Sequence, residues 1–182
     1  MNLFIITSLA ASGKTTLVDY VTEEFYLYKL KTCTTRPVRP EEKGDEYHFI
    51  PREDFAVMMS HNKFVEYASV YDNYYGLTKE EVENNKDKNC IVILDVQGTE
   101  TMMKLYPEAT PIFLLPAPIP VIQRRLEKRK TSDADVKRRM EEVTNEIIAS
   151  EKYEYRVKYG SLIDMKEELF MIISEKIVDS LV

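Results

Sequence analysis

TSLAASGKTT, residues 7–16, closes on Gly13-Lys14-Thr15-Thr16 immediately after the apolar run LFIIT (3–7). Phosphate binds where backbone N–H groups converge at the start of a helix. GxxxxGK[ST] is the sequence form of such a turn, with the lysine reaching the β/γ-phosphates and the Ser/Thr hydroxyl on Mg²⁺. By that pattern Ala10, Ala11, Ser12, Gly13, Lys14, Thr15 and Thr16 form the cradle of a triphosphate, and Thr15 is a metal ligand. The stretch departs from the pattern where Ser8 replaces the first glycine. A serine held at positive φ there costs roughly 1 kcal/mol, a strain and not a veto. Ala10 and Ala11 are small enough to leave the cradle open.

Outward from this loop the chain alternates strands and helices. TTLVDYVTEEF (15–25) carries Leu17, Val18, Val21 and Phe25 at near-helical spacing. NCIVILDV (89–96), TPIFLLP (110–116) and YEYRVKY (153–159) read as further strands, with helices around 97–106, 118–129 and 134–151. Such alternation predicts an α/β fold with a parallel sheet and helices on both faces. A chain of 182 residues makes one domain with a substantial core.

Hydrophobic residues at 44% and charged ones at 31% exclude disorder and fibrous repeats. The net charge of −6 argues against a general nucleic-acid or acidic-membrane binder. MNLFIIT has no basic leader and too short an apolar run for a signal peptide or span, so a cytoplasmic protein is expected. Cys33 and Cys90 lack any metal-site spacing and are expected to be reduced and buried.

Two segments interrupt the alternation. Residues 30–80 are rich in tyrosine and turn residues and read as an inserted subregion. In its TTRPVRP loop, prolines on either side of Val38 stiffen the chain and present Arg36 and Arg39 at fixed positions. Residues 124–139 hold eight basic residues against three acidic ones, a concentration of cations in an acidic chain. Taken alone, such a run fits a solvated helix face.

Four of the five glycines, Gly13, Gly44, Gly76 and Gly98, lie in SLAASGKTT, TTRPVRPEEKGDEYHF (34–49), FVEYASVYDNYYG (64–76) and LDVQG (94–98). With RRLEKRKTSDADVKRRM (124–140), these stretches resemble, in order and near-family spacing, the guanylate kinases from end to end. The resemblance implies a P-loop three-layer fold with a central parallel sheet, an inserted monophosphate-binding subregion and a mobile lid. In a single domain over 1–182, residues 1–29 and 81–182 would be the core, 30–80 the insertion and 124–139 the lid. It implies transfer of the γ-phosphoryl group of ATP to GMP or dGMP with Mg²⁺. Small-molecule nucleotides would be the partners, without nucleic acid or membrane, and a homodimer is left open.

By the same resemblance Arg36, Arg39, Tyr47 and Tyr75 hold the monophosphate, while Arg129 and Arg139 close with the lid, helped by Arg125. Lys14, Arg39, Arg129 and Arg139 are then the catalytic cations of a reaction that consists of positioning and charge neutralisation. Glu66 matches the family's guanine-binding glutamate. An ionised carboxylate only accepts, and guanine offers N1–H and its 2-amino group on one edge where adenine offers a bare lone pair. Thr32 and Thr78 supply hydroxyls near the base.

Several positions depart from the family. Leu77 stands where a hydroxyl would donate to the guanine carbonyl, and an acceptor left unpaired costs roughly 1–3 kcal/mol. Ile93 replaces the first carboxylate of DxDVQG, leaving Asp95 either to hold Mg²⁺ or to cap the next helix. Lys130 replaces the glycine of the lid's Arg-Gly pair. Leu77 and Ile93 motivate a second reading, a monophosphate kinase of shifted base or sugar specificity. A third is a non-catalytic guanylate-kinase-like binding domain, against which Lys14, Arg129 and Arg139 speak.

Overall fold

The computed structural model describes residues 2–8, 14–40, 42–70, 72–128 and 133–180. LFIITS forms β1 (Leu3–Ser8), buried at every position, and α1 (Lys14–Glu24) follows it. That helix ends where Tyr26 takes a left-handed φ of 52°. The short β2 (Tyr28–Lys29) and β3 (Cys33–Thr34) come next, then β4 (His48–Phe49), α2 (Arg52–Ser60), β5 (Phe64–Val70), β6 (Asn73–Thr78) and α3 (Lys79–Glu83). The chain continues through β7 (Cys90–Leu94), α4 (Val96–Leu105), β8 (Thr110–Leu114), α5 (Ile119–Lys128), α6 (Asp133–Ser150), β9 (Tyr155–Val157) and α7 (Leu162–Asp179).

Five strands pair in the order β2-β7-β1-β8-β9, every pairing parallel. Side chains alternate across these strands, so the sheet has two apolar faces. Phe4 and Ile6 of β1, Ile91 of β7 and Ile112 and Leu114 of β8 pack with Leu17, Val18 and Val21 of α1 and Met165, Leu169 and Ile173 of α7. On the other face Leu3, Ile5, Val92 and Leu94 meet Met102 of α4, Val82 of α3 and Leu77 of β6. Helix, sheet and helix make three layers around a central parallel sheet, as expected of the α/β P-loop class. Helix α7 was not legible as a periodic stretch. Its N-terminus is fixed by a capping box, in which Ser161 accepts from the Asp164 N–H and Asp164 from the Ser161 N–H.

A second sheet, β4-β3-β6-β5, lies wholly within residues 33–78. Its strands β5 and β6 form an antiparallel hairpin, with Asp72 at φ 62° in the connection. Phe55, Phe64 and Tyr74 stack beneath it, with centroids 4.4 and 5.4 Å from Phe55 to its two neighbours.

Two sequence expectations change here. Ser8 is an extended strand residue paired with Leu114, and it is absent from the positive-φ residues, which among the described non-glycines are Tyr26, Asn62 and Asp72. The backbone strain expected from a missing glycine therefore does not arise. Leu77 turns its side chain, 0% exposed, into the apolar cluster below the insertion. It anchors the second sheet on the first, which accounts for a leucine in place of a hydroxyl residue. Cys33 and Cys90 are free and buried, as expected. Burial pushes the Cys33 thiol up to about 11, with Glu81 adding to the shift, so it stays protonated. Among the described residues no helix is long and apolar enough to cross a membrane.

Leu77→Ser is expected to lower the free energy of unfolding by about 3 kcal/mol, because it leaves a cavity and buries a hydroxyl. The midpoint of urea denaturation checks this, and an unchanged midpoint would place the side chain outside the core.

Candidate nucleotide site

In an open parallel sheet, ligands bind beyond the carboxyl ends of the strands where neighbouring connections diverge. Here β7 and β8 flank β1, so that crevice opens past Ser8, Leu94 and Leu114. Ala10, Ala11, Ser12 and Gly13 lie outside the described residues, as do Arg129 and Lys130. Lys14 opens α1, and Thr15 and Thr16 in the first turn are exposed. A buried strand, a five-residue connection and a helix beginning at the lysine are the frame a phosphate loop requires. Arg125 and Arg139 are placed by backbone alone, on α5 and α6 respectively.

The second sheet gathers the other candidates. Parallel pairing of β3 with β4 and antiparallel pairing of β3 with β6 set Thr34 opposite both Phe49 and Tyr75. The Thr34 hydroxyl donates to the Tyr74 carbonyl at 3.0 Å and accepts the Arg36 N–H at 3.2 Å. Thr35 exchanges two further bonds with the backbone of Tyr74, its N–H donating to the carbonyl and its hydroxyl accepting the N–H. The loop after β3 is thereby clamped to the strand that carries Tyr75. Arg36, Tyr47 and Tyr75 meet there, with the two tyrosine rings edge to face at 6.0 Å and the guanidinium 5.5 Å from the Tyr47 centroid. Burial raises the Tyr47 hydroxyl, which keeps it a donor. Arg39 lies exposed three residues on in the same loop.

Arg36 already holds a carboxylate. Its Nη2 and Nη1 donate to Glu42 Oε1 and Oε2 at 2.7 and 2.9 Å. Burial works against the guanidinium charge, but the Glu42 hydrogen bonds together with the Tyr75 and Glu42 charges outweigh it, so its pKa is raised; the bonds to Arg36 hold the Glu42 carboxyl below its usual range. Glu42 ends the TTRxxRxxE spacing but was given no role from sequence, although a carboxylate six residues after an arginine was the available signal.

Glu66 is the most heavily constrained acidic group among these residues. It lies on β5, 5% exposed, and its Oε1 accepts the Leu77 N–H at 3.1 Å. Its Oε2 presses on Gly98 in the first turn of α4, where a Cβ would stand 2.5 Å from that oxygen and 3.1 Å from Asp95 Oδ1. A side chain at position 98 would displace the carboxylate, which explains a glycine inside a helix. Burial, with the nearby Asp95 charge adding to it, raises the Glu66 carboxyl to about 8 against the opposing Leu77 N–H.

The remaining candidates have local structural duties. Asp95 is the N-cap of α4 and accepts the Gly98 N–H at 2.6 Å, so the capping alternative weighed from sequence is realised. Thr78 caps α3 by accepting the Glu81 N–H. Thr32 is buried, and its carbonyl accepts the His48 N–H. Ile93 packs against the α1/α7 face of the core.

The guanylate kinase family's sequence model matches residues 1–176. This chain belongs to the guanylate kinase family. The guanylate kinase of Hydrogenovibrio crunogenus is 38% identical over 161 residues, spanning 86% of this chain and 78% of that relative. That of Hahella chejuensis is 39% identical over 172 residues, spanning 92% and 83%. In fold the chain is similar to the crystal structure of guanylate kinase from Anaplasma phagocytophilum, with a TM-score of 0.76 at 24% identity, covering 96% of this chain and 85% of that one. A dephospho-CoA kinase from Campylobacter jejuni is also similar, with a TM-score of 0.51 at 14% identity over 96% of each chain. The core is thus shared across kinases of different names, and substrate choice must reside in the site.

The Glu66 carboxyl carbon is expected to titrate near pH 8 in the nucleotide-free guanylate kinase chain, and Asp95→Asn to move that midpoint down by removing a like charge. Carbon-13 NMR of glutamate-labelled protein reads both, and a midpoint in the ordinary carboxylate range would refute the burial argument.

Proposed function

We propose a division of labour among these residues for the reaction of the family, transfer of the γ-phosphoryl group of ATP to GMP giving ADP and GDP. The observation that carries it is the buried Glu66 carboxylate lying on the same small sheet as the Arg36, Tyr47 and Tyr75 cluster. One end of that sheet suits a base with two adjacent donors, and the other suits a phosphate.

Ionised Glu66 accepts from guanine N1–H and the 2-amino group, while its other contacts, Leu77 N–H and Gly98, fix its plane. Arg36, Arg39, Tyr47 and Tyr75 hold the monophosphate. Thr32 and Thr78 border the base, with Thr78 also capping its helix. On the triphosphate side the turn at Ala10, Ala11, Ser12, Gly13, Lys14, Thr15 and Thr16 holds ATP, with Lys14 on the β/γ-phosphates. The cations of 124–139, chiefly Arg125, Arg129 and Arg139, close over it. Arginines in this role contribute roughly 10³ to 10⁵ in rate. Nothing in this set distinguishes the ribose of GMP from the deoxyribose of dGMP, so both are substrates in this reading.

Magnesium fits the donors present. Among the described residues no group of three or more His, Cys, Asp and Glu could hold a metal, but Mg²⁺ bound mainly by phosphates and water needs only one or two hard protein oxygens. The exposed Thr15 hydroxyl and, through water, Asp95 would supply them. When bound, the ion neutralises charge between the phosphates.

Two kinetic tests follow from this assignment. Lys14→Ala is expected to abolish turnover in a coupled assay with ATP and GMP, and unchanged turnover would end the catalytic reading. Because guanine needs the carboxylate and Glu66 holds its proton below about 8, KM for GMP is expected to rise as pH falls from 8.5 to 7, approaching tenfold per pH unit. Glu66→Ala should raise KM for GMP, flatten that slope and admit other purine monophosphates. A slope that survives in the variant would assign the proton elsewhere.

A further inference from the structure

The cluster around Arg36 contains a carboxylate that a phosphate site would not obviously want. Of the five N–H donors of a guanidinium, Arg36 commits three: Nη1 to Glu42 Oε2 and to the Pro37 carbonyl, and Nη2 to Glu42 Oε1. The pair is largely enclosed, with side-chain exposures of 11% for Arg36 and 14% for Glu42. Two functions of Glu42 are conceivable. It could stand in for the phosphate and leave when the substrate arrives, or it could stay and hold the guanidinium in its working plane.

The backbone decides between them. Glu42 Oε2 also accepts the Arg39 N–H at 2.8 Å, and the Glu42 N–H donates to the Arg39 carbonyl at 3.0 Å. The carboxylate is thus bonded to the backbone that carries Arg39 as well, and releasing Arg36 would also cost the Arg39 N–H its acceptor. Tyr75 also lies close enough to the guanidinium to favour its charge. A long, flexible side chain has been fixed by a bidentate partner, with its guanidinium carbon 5.5 Å from the Tyr47 ring centroid.

We propose that Glu42 is a positioning residue of the monophosphate site, holding the Arg36 guanidinium and the Arg39 backbone in place for the phosphate. This rests on the reading of Arg36 as a phosphate ligand. Glu42 acts through Arg36 and touches no substrate itself. Its carboxylate lowers the net charge of the cluster, and the gain is a guanidinium ordered before the substrate arrives.

The test is steady-state kinetics and calorimetry on the full chain. Glu42→Gln, which keeps the shape but loses one acceptor and the charge, is expected to raise KM for GMP about tenfold while leaving KM for ATP and kcat within about twofold. GMP binding should weaken while guanosine binding, which has no phosphate to place, stays unchanged. Arg36→Lys/Glu42→Gln should bind GMP no more weakly than Arg36→Lys alone, since both changes break the same unit. If Glu42→Gln fails to fold, Glu42→Asp, with the charge kept but drawn back, should show the same GMP-selective loss in milder form. Equal losses for GMP and guanosine would reveal a merely structural role and overturn the proposal. A lower KM for GMP would make Glu42 a competitor of the phosphate and also overturn it, as would an unchanged KM. Arg36→Lys with unchanged GMP affinity would instead remove the underlying reading of Arg36.

Discussion

The site is organised by one costly contact, the burial of the Glu66 carboxylate against the Cα of Gly98. A carboxylate out of water is unfavourable unless it is neutralised or bonded. Among the described residues its backbone donor is the Leu77 N–H, and Asp95 sets a like charge beside it. The fold tolerates it because both sides of the contact are held independently. Leu77 anchors β6 in the apolar layer below, and Asp95 caps the helix that begins beside Gly98. The small sheet and the large one therefore meet at a polar point framed by apolar packing. Such a point is poised for a ligand that brings donors of its own.

That arrangement gives a physical account of the residues that set this chain apart from its family pattern. Leu77 follows the glycine of NYYG, and its side chain is structural while its main-chain N–H donates to the Glu66 carboxylate. Ser8 ends an extended strand and bears no left-handed strain. Ile93 belongs to the core face that packs on α1 and α7. Each of these three departures replaces a polar or glycine position with one that the packing of this fold can absorb.

The large sheet was readable in advance because β1, β7 and β8 are continuous apolar runs, and α1 shows its inward face at Leu17, Val18 and Val21. The small sheet was not, since β3 and β4 are two residues each and carry no period of their own; pairing with β6 creates them. Helix α7 escaped notice although Ser161 and Asp164 spell a capping box ahead of Met165, Leu169 and Ile173. At the site, Arg36, Tyr47, Glu66 and Tyr75 stood out as motif residues. The partners that hold them, Glu42 and Gly98, act through side-chain and van der Waals geometry that spacing alone does not express.

If Glu66 is the buried acceptor for guanine, binding must expel the proton that burial keeps on it. Isothermal titration of GMP into the chain at pH 7, in buffers of different ionisation enthalpy, measures that proton directly. The account requires release of about one proton per GMP bound in the wild-type chain, and little or none with Glu66→Gln. Observed heats that do not depend on the buffer in the wild-type chain would show that Glu66 is already ionised and that its burial plays no part in recognising the base.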